Sequence, residues 1–471
     1  MYPDWVEKHR TKGTNISFIR GKYYLYEVGS VWNKEKGRAQ KITKKYLGRI
    51  TEEEGLIPPK KKKETIQSPT SVKEYGAAFV MTELGKDILQ RLQEYFPNHA
   101  EILFALAVLR VTDPGPFKRA DQQYRHSYLS EMFKDLRLSG KDLTSFLKEF
   151  GEHRERMVDF MRSFIGENEH ILFDGTSILS NSHKMDINRV GYNAHRAYKP
   201  QVNLLYAFSC ESRMPIYYRM IAGNVRDVSA FKLTLQETRM KNLTVVADKG
   251  FGSKENFDLL EESKIHYIVP LRRNNGLFDT TKLEEGNKNA FDGYFLFNNR
   301  PIWHYKTQET MVYLDNDLRN EEEKDYILRI EKGLEGYTKE NFLERQFKFG
   351  TIVLRTNLQK TPEEIYCIYK ERREIEQSFD FLKNLLEQDK SYMQNEKSLE
   401  TWAFINHIAL MLNYKIYNLL RVNELLSKFS VSDFIHHLKY IFKIKADAQW
   451  LTSEISAKTV KLLSTLGITI T

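Results

Sequence analysis

Tyr369, Arg372, Glu376 and Lys383 stand three, four and seven residues apart in the stretch TPEEIYCIYKERREIEQSFDFLKNLLEQ. A carboxylate held between a phenol hydroxyl and two cations suits chemistry on phosphates. Glu376 could ligate a divalent metal, Arg372 and Lys383 could hold phosphate oxygens, and Tyr369 could hydrogen-bond one. The same residues fit a plainer reading. Charges at i, i+4 are common on solvated helices, and Arg372 with Glu376 could be a surface ion pair worth a few tenths of a kcal/mol.

The element that must position these residues is a helix expected from about Thr361 to Glu387. Thr361 is a good N-cap, Pro362 sits where a missing N–H costs nothing, and Glu364 completes a capping box. At about 100° per residue the four polar residues fall within an arc of about 60°. Ile368, Ile375, Phe379, Leu382 and Leu386 occupy the adjoining sector, which would lie on a core. The polar stripe is therefore expected at the edge of that core, half-buried.

Upstream, HILFDGTSIL reads as an apolar strand ending in Asp174-Gly175-Thr176, and QVNLLYAFSC and IYYRMIAG read as two more strands. A helix opens at Asp227 and is followed by the buried-type strand LTVVADKGF, ending in Asp248. KENFDLLEESK then reads as a helix and HYIVPL as a strand. An Asp after a strand is usually a turn former, so each Asp alone says little.

The spacing Tyr-x2-Arg-x3-Glu-x6-Lys resembles the Tyr-Arg-Glu-Lys signature of bacterial DDE transposases in the insertion sequence 4 superfamily. In that family the Glu is the third catalytic acid, and the resemblance makes Asp174 and Asp248 the other two. It implies an α/β multidomain fold whose ribonuclease H-like mixed sheet brings the first and fourth strands together. The segment between HYIVPL and Thr361 then corresponds to the family's β-rich insertion, where Trp303 becomes a candidate for stacking a flipped base.

The expected organisation is a basic N-terminal β module over residues 1–57, a Pro/Lys linker over 58–70 and a helical domain over 71–168. The catalytic core follows over 169–273, with the β-rich insertion at 274–348, the second core part with the Glu-bearing helix at 349–388, and a C-terminal helical region at 389–471. Charge supports a special role for the first module. Residues 1–64 hold sixteen Lys or Arg against eight Asp or Glu, so that +8 of the formal net charge of +9 lies there. A basic module on a near-neutral body suggests a polyanionic partner such as DNA. Its strands interleave Tyr23, Tyr24, Tyr26 and Trp32 with Lys22, Arg38, Lys41, Lys44 and Lys45.

The two cysteines, Cys210 and Cys367, lie far apart without metal-ligand spacing, which argues against a disulfide framework or a zinc cluster. A charged N-terminus without an apolar run of signal length leads to the expectation of a cytoplasmic protein, associated with the bacterial nucleoid through DNA. By the resemblance, Asp174, Asp248 and Glu376 would hold two Mg2+ ions, with Mn2+ as a possible substitute, to cut and join DNA at element ends. Tyr369, Arg372 and Lys383 would hold the phosphates of a cleaved end, and family members act as dimers bridging two ends. A ribonuclease H-like nuclease without strand transfer, or a DNA-binding descendant that no longer cuts, remain the alternatives.

Overall fold

Alternating apolar and polar residues in the first sixty positions build four strands: β1 (Thr14–Ile19), β2 (Lys22–Asn33), β3 (Arg38–Thr51) and β4 (Gly55–Ile57). They pair in chain order as an antiparallel sheet. Arg20 and Gly21 between β1 and β2 both have positive φ, 49° and 77°. That is the two-residue turn whose twist suits a hairpin. Val6 from the short helix α1 (Asp4–Glu7) joins Ile16, Leu25 and Ile50 in a small core, with Trp5, Tyr23 and Leu56 packed against it. The computed structural model describes every residue except 1, 34–36, 60–70, 193–197, 226, 239–241, 382–389, 447–448 and 471. The sheet belongs to the first of two units, Met1–Ser68 and Pro69–Thr471.

The second unit opens with β5 (Ser71–Glu74) and seven helices. These are α2 (Gly76–Leu84), α3 (Lys86–Tyr95), α4 (Ala100–Thr112), α5 (Ala120–His126), α6 (Leu129–Met132), α7 (Gly140–Phe150) and α8 (Arg154–Arg162). The apolar sequence of α4 is buried almost throughout, as expected of a helix with no polar face.

The central sheet follows, from β6 (His170–Ser180), β7 (Arg189–Tyr192), β8 (Tyr198–Ser209), β9 (Met214–Ala222), β10 (Thr244–Ala247) and β11 (His266–Pro270). The helices α9 (Asp227–Thr238) and α10 (Lys254–Glu262) supply the crossovers that parallel strands require. β8 runs antiparallel to β6 and β9, whereas β6, β10 and β11 are mutually parallel, giving the spatial order β9-β8-β6-β10-β11. This is the mixed order of a ribonuclease H-like core, with β7 added on the long strand β8.

After α11 (Thr281–Glu284), the strands β12 (Gly293–Phe297), β13 (Arg300–Lys306) and β14 (Thr310–Asp315) form a meander. They join β15 (Thr351–Thr356), which pairs antiparallel with β11, so the insertion extends the core sheet to eleven strands. Between β14 and β15 lie two helices, α12 (Asn316–Glu331) and α13 (Lys339–Arg345), where the sequence reads only as strands. The α12 sequence NDLRNEEEKDYILRIE is polar on nearly every side, and so carries no apolar stripe to announce a helix. Asp315 starts it by accepting hydrogen bonds from the Asp317 and Leu318 amides.

The chain continues through α14 (Pro362–Lys370), α15 (Arg373–Asp380), the short β16 (Lys390–Ser391) and α16 (Glu396–Val422). The 27-residue α16 is buried over most of its length, which makes it the central rod of this unit rather than a free surface. The region beyond residue 389 is not wholly helical as expected. After α17 (Val431–Lys439), the hairpin β17 (Phe442–Ala446) and β18 (Gln449–Thr452) adds to β5 as a three-stranded sheet before α18 (Ala457–Thr465). No helix among the described residues is long and apolar enough to cross a membrane.

Candidate active site

Strand register brings the first two acids together. β6 and β10 pair in parallel with Phe173 opposite Ala247, so the next residues along are Asp174 and Asp248. Adjacent strands lie about 4.8 Å apart, and equivalent positions in a parallel ladder face the same side. Asp174 is held by the Gly175 amide, which donates to its Oδ1 at 2.8 Å. Asp248 ends its strand by capping the following turn, its Oδ1 accepting from the Lys249 amide at 2.6 Å.

The third acid arrives on a helix laid over the same face. Tyr206 on β8 lies directly opposite Asp174, and its buried ring meets Phe379 of α15 edge-on at 6.2 Å. Glu376 precedes Phe379 by one turn and so shares its side of the helix. A hydrogen bond of 3.0 Å from the Tyr414 hydroxyl on α16 to the Glu374 carbonyl fixes α15 from behind.

The expected single helix is in fact two. The start follows the sequence reading, because Thr361 and Glu364 form the full capping box with Pro362 in the first turn. At Glu371 and Arg372 the ladder tightens, and the Arg372 amide reaches back three residues to the Tyr369 carbonyl at 3.2 Å. No Pro or Gly stands there to cause the break. Tertiary contacts flank it instead: Arg372 is bound to Asp248, and Arg213 lies 3.8 Å from Glu374.

Arg372 is the hinge of the electrostatics. Its Nη1 donates to Asp248 Oδ1 at 2.8 Å and its Nη2 to Glu376 Oε1 at 3.0 Å. Burial works against its charge, but Asp248, Tyr369, Asp174 and Glu376 together hold its pKa above the ordinary guanidinium value. One cation thus feels all three acids. Its Nε is buried without a hydrogen-bond partner among the described residues, which leaves an unused donor in the site. Tyr369 is packed beside it, its phenol pushed up mainly by burial and, secondarily, opposed by Arg372.

Cavities open on both sides of this cluster. One of about 680 Å3 is lined by Asp248, Lys249, Arg272, Arg273, Tyr369 and Arg372. Another of about 780 Å3 is lined by Glu376, Arg372, Arg373, Arg300, Lys370 and Arg213, together with both cysteines. A third, of about 980 Å3, continues past Lys249 and Arg272 between Gly191, Gly223, Asn274 and Asn275. Its floor depends on small residues, since a Cβ on Gly191 would stand 1.9 Å from the Gly223 carbonyl oxygen. Arg273 is tied to Glu322 by two hydrogen bonds of 2.8 and 2.9 Å, whereas Lys249 and Arg272 have no ion-pair partner among the described residues.

Of the residues singled out from sequence, the structure assembles Asp174, Asp248, Tyr369, Arg372 and Glu376. Lys383 lies outside the described residues. Trp303 sits on β13, partly buried, with its ring 5.1 Å from Tyr294, 6.1 Å from Phe291 and 4.7 Å from the Lys288 ammonium. It does not line the three cavities described above. Sequence reasoning passed over Lys249 and Arg272, although the first follows Asp248 directly and the second follows the apolar run HYIVPL.

The topology thus gathers two Asp from neighbouring strands and a Glu from the covering helix on one face of the sheet. The family described as "Transposase DDE domain" matches residues 165–412, more than half of the chain, and the protein belongs to that family. Among solved structures, the chain is similar to a piggyBac transposase in its synaptic complex with hairpin DNA, at 11% identity over 72% of this chain and 70% of that one, with a TM-score of 0.37. It is also similar to the Mos1 transposase in a paired-end complex with the left transposon end, at 13% identity over 35% of this chain and 56% of that one, with a TM-score of 0.15. Both are distant likenesses. No curated protein matches the chain.

Proposed function

We propose that the protein is a DNA transposase of the insertion sequence 4 type, binding the terminal inverted repeats of its element and catalysing Mg2+-dependent cleavage and strand transfer. The observation that carries this reading is the gathering of Asp174, Asp248 and Glu376, from three separate segments, around the single guanidinium of Arg372. Simple surface ion pairing would not require Asp174 within β6 and Asp248 at the end of β10 to stand in register.

Divalent metal fits this donor set. Three carboxylates offer the hard oxygens that Mg2+ prefers, and Mn2+ is accepted by the same ligands. Among the described residues no three His, Cys, Asp or Glu stand together closely enough to hold a metal ion as they are, and Arg372 bridges Asp248 and Glu376 instead. When bound, two such ions supply an activated oxygen nucleophile and charge neutralisation at the leaving oxygen. The chain's own residues do the rest. Arg372, whose Nε is an unused donor, would hold a phosphate oxygen, and Tyr369 would offer its hydroxyl beside it. Lys383 adds a second cation for the cleaved end. Lys249 and Arg272 line the groove along which a strand would approach. Trp303 remains the base-stacking candidate, with Lys288 over the ring face that a base would take. The working form is a homodimer on two DNA ends, acting in the cytoplasm on nucleoid DNA.

Glu376→Gln tests this directly. The variant is expected to bind a duplex carrying the gene's flanks within about threefold of wild type while Mg2+-dependent cutting falls by roughly a thousandfold, about 4 kcal/mol of transition-state stabilisation. Cutting at the wild-type rate would remove Glu376 from the site.

A further inference from the structure

Beyond the end of β1, the strands β2 and β3 run on as a two-stranded ribbon. β1 reaches only to Glu27, where it pairs through Thr14, while the β2–β3 ladder continues from Val28 opposite Thr43 to Asn33 opposite Arg38. Every residue of β3 from Arg38 to Lys45 is exposed, and on β2 Val31 and Trp32 are 53% and 62% exposed. Both faces are therefore wet over this length. A free two-stranded hairpin is marginal in water and gains nothing from displaying Val31, Trp32 and Ile42 there.

The ribbon's chemistry is one-sided. Its described residues from Val28 to Lys45 include Arg38, Lys41, Lys44 and Lys45, and the nearest described acid is Glu27, opposite Lys45 at its base. The register sorts them by face. Gly29 lies opposite Ile42, Val31 opposite Gln40 and Asn33 opposite Arg38, so one face presents two amides, a guanidinium and two apolar side chains. Asn33 Nδ2 donates to Gln40 Oε1 at 3.1 Å, pairing the amides across the strands. A pairing irregularity beside Glu27 and Val28 leaves Lys44 as an extra residue, and its stem lies so close over Gly29 that a Cβ there would meet its Cε at 2.6 Å.

We propose that this ribbon enters the major groove of duplex DNA, with Asn33, Arg38, Gln40 and Ile42 toward the base edges and Lys41 and Lys45 toward phosphates. The major groove of B-form DNA is wide enough for a two-stranded ribbon, and Arg, Asn and Gln are the side chains whose donors and acceptors match its base edges. The positive charge complements the backbone on either side. The inference rests on the DNA transposase reading and gives the N-terminal unit the task of recognising sequence.

The test uses the full chain, a duplex of the gene's immediate flanks, an unrelated duplex of equal length and an RNA duplex of the flank sequence. Lys41→Ala/Lys45→Ala is expected to reduce the log–log salt slope of flank binding by roughly 2, while the corresponding Lys→Arg pair keeps it. Arg38→Ala/Gln40→Ala is expected to lower the preference for flank over unrelated duplex at least tenfold, and to abolish interference by guanine N7 methylation. Wild-type salt slope, preference and methylation interference in these variants would overturn the ribbon proposal while leaving the transposase reading intact. Equal affinity for the RNA duplex, whose major groove is too narrow, would overturn it as well. A wild-type protein that neither binds nor cuts the flanks would instead bring down the reading on which it rests.

Discussion

Arg372 shows how one side chain can hold an acidic site together. Two carboxylates at hydrogen-bond distance from one guanidinium share its positive charge without needing to approach each other. Much of this was legible from sequence, because Arg372 and Glu376 stand at helical spacing. The contact to Asp248 was not, since it spans 124 residues and depends on strand register. His407 is a residue no motif announces. It lies on α16, fully buried between the rings of Tyr206 and Tyr218, with neither ring nitrogen hydrogen-bonded among the described residues. Burial, followed by the nearby charge of Arg154, lowers its pKa from 6.5 to about 3. The unfolded chain then takes up this proton at a higher pH than the folded one. The stability that neutral His407 contributes is complete above pH 6.5 and drains away as pH falls toward 3. Between pH 7.5 and 5 the loss from this residue is about 2 kcal/mol. His407→Leu is expected to lose correspondingly less stability over that interval in urea unfolding, and parallel pH profiles for the two proteins would contradict it.

At the scale of elements, the strongest local signals were right and the tertiary ones were silent. The capping box at Thr361, the strand that carries Asp174 and the strand that precedes Asp248 each rest on a few adjacent residues, and each is present. The break at Glu371–Arg372 carries no Pro or Gly, and α12 carries no apolar stripe, so neither left a periodic trace. The hairpin β17–β18 hides because its strands are short and pair with β5, more than 350 positions earlier. The two-part helix gives its own prediction. Thr361→Ala removes the hydroxyl that accepts from the Glu364 amide and is expected to cost about 1 kcal/mol, whereas Thr361→Ser keeps it within a few tenths. A urea midpoint unchanged in the alanine variant would show that tertiary packing alone sets the start of α14.

At the scale of the whole molecule, the second unit is stitched across great sequence distances around the central sheet. Arg154 on α8 donates to Glu400 on α16 at 2.8 Å, and to Glu237 on α9 and the Tyr218 carbonyl on β9 at 3.2 and 2.9 Å. The helical segments before and after the core are thereby bound to the face of the sheet that carries Tyr206 and Asp174. Charge set the basic module apart in the sequence, core and insertion were expected from strand pattern and resemblance, and the continuity of the segment before Thr361 with the core sheet emerged only from strand pairing. The same register makes the central claim testable, because it sets Asp174 beside Asp248 on adjacent strands. The most direct measurement incubates purified protein and Mg2+ with a plasmid carrying the gene's native flanks, comparing wild type with Asp174→Asn. Wild type is expected to break the DNA at a flank repeat and join the freed 3′ ends to other DNA, with Asp174→Asn binding the flanks but doing neither. Equal cutting and joining by both proteins, or none by wild type on flanks it binds, would contradict the account.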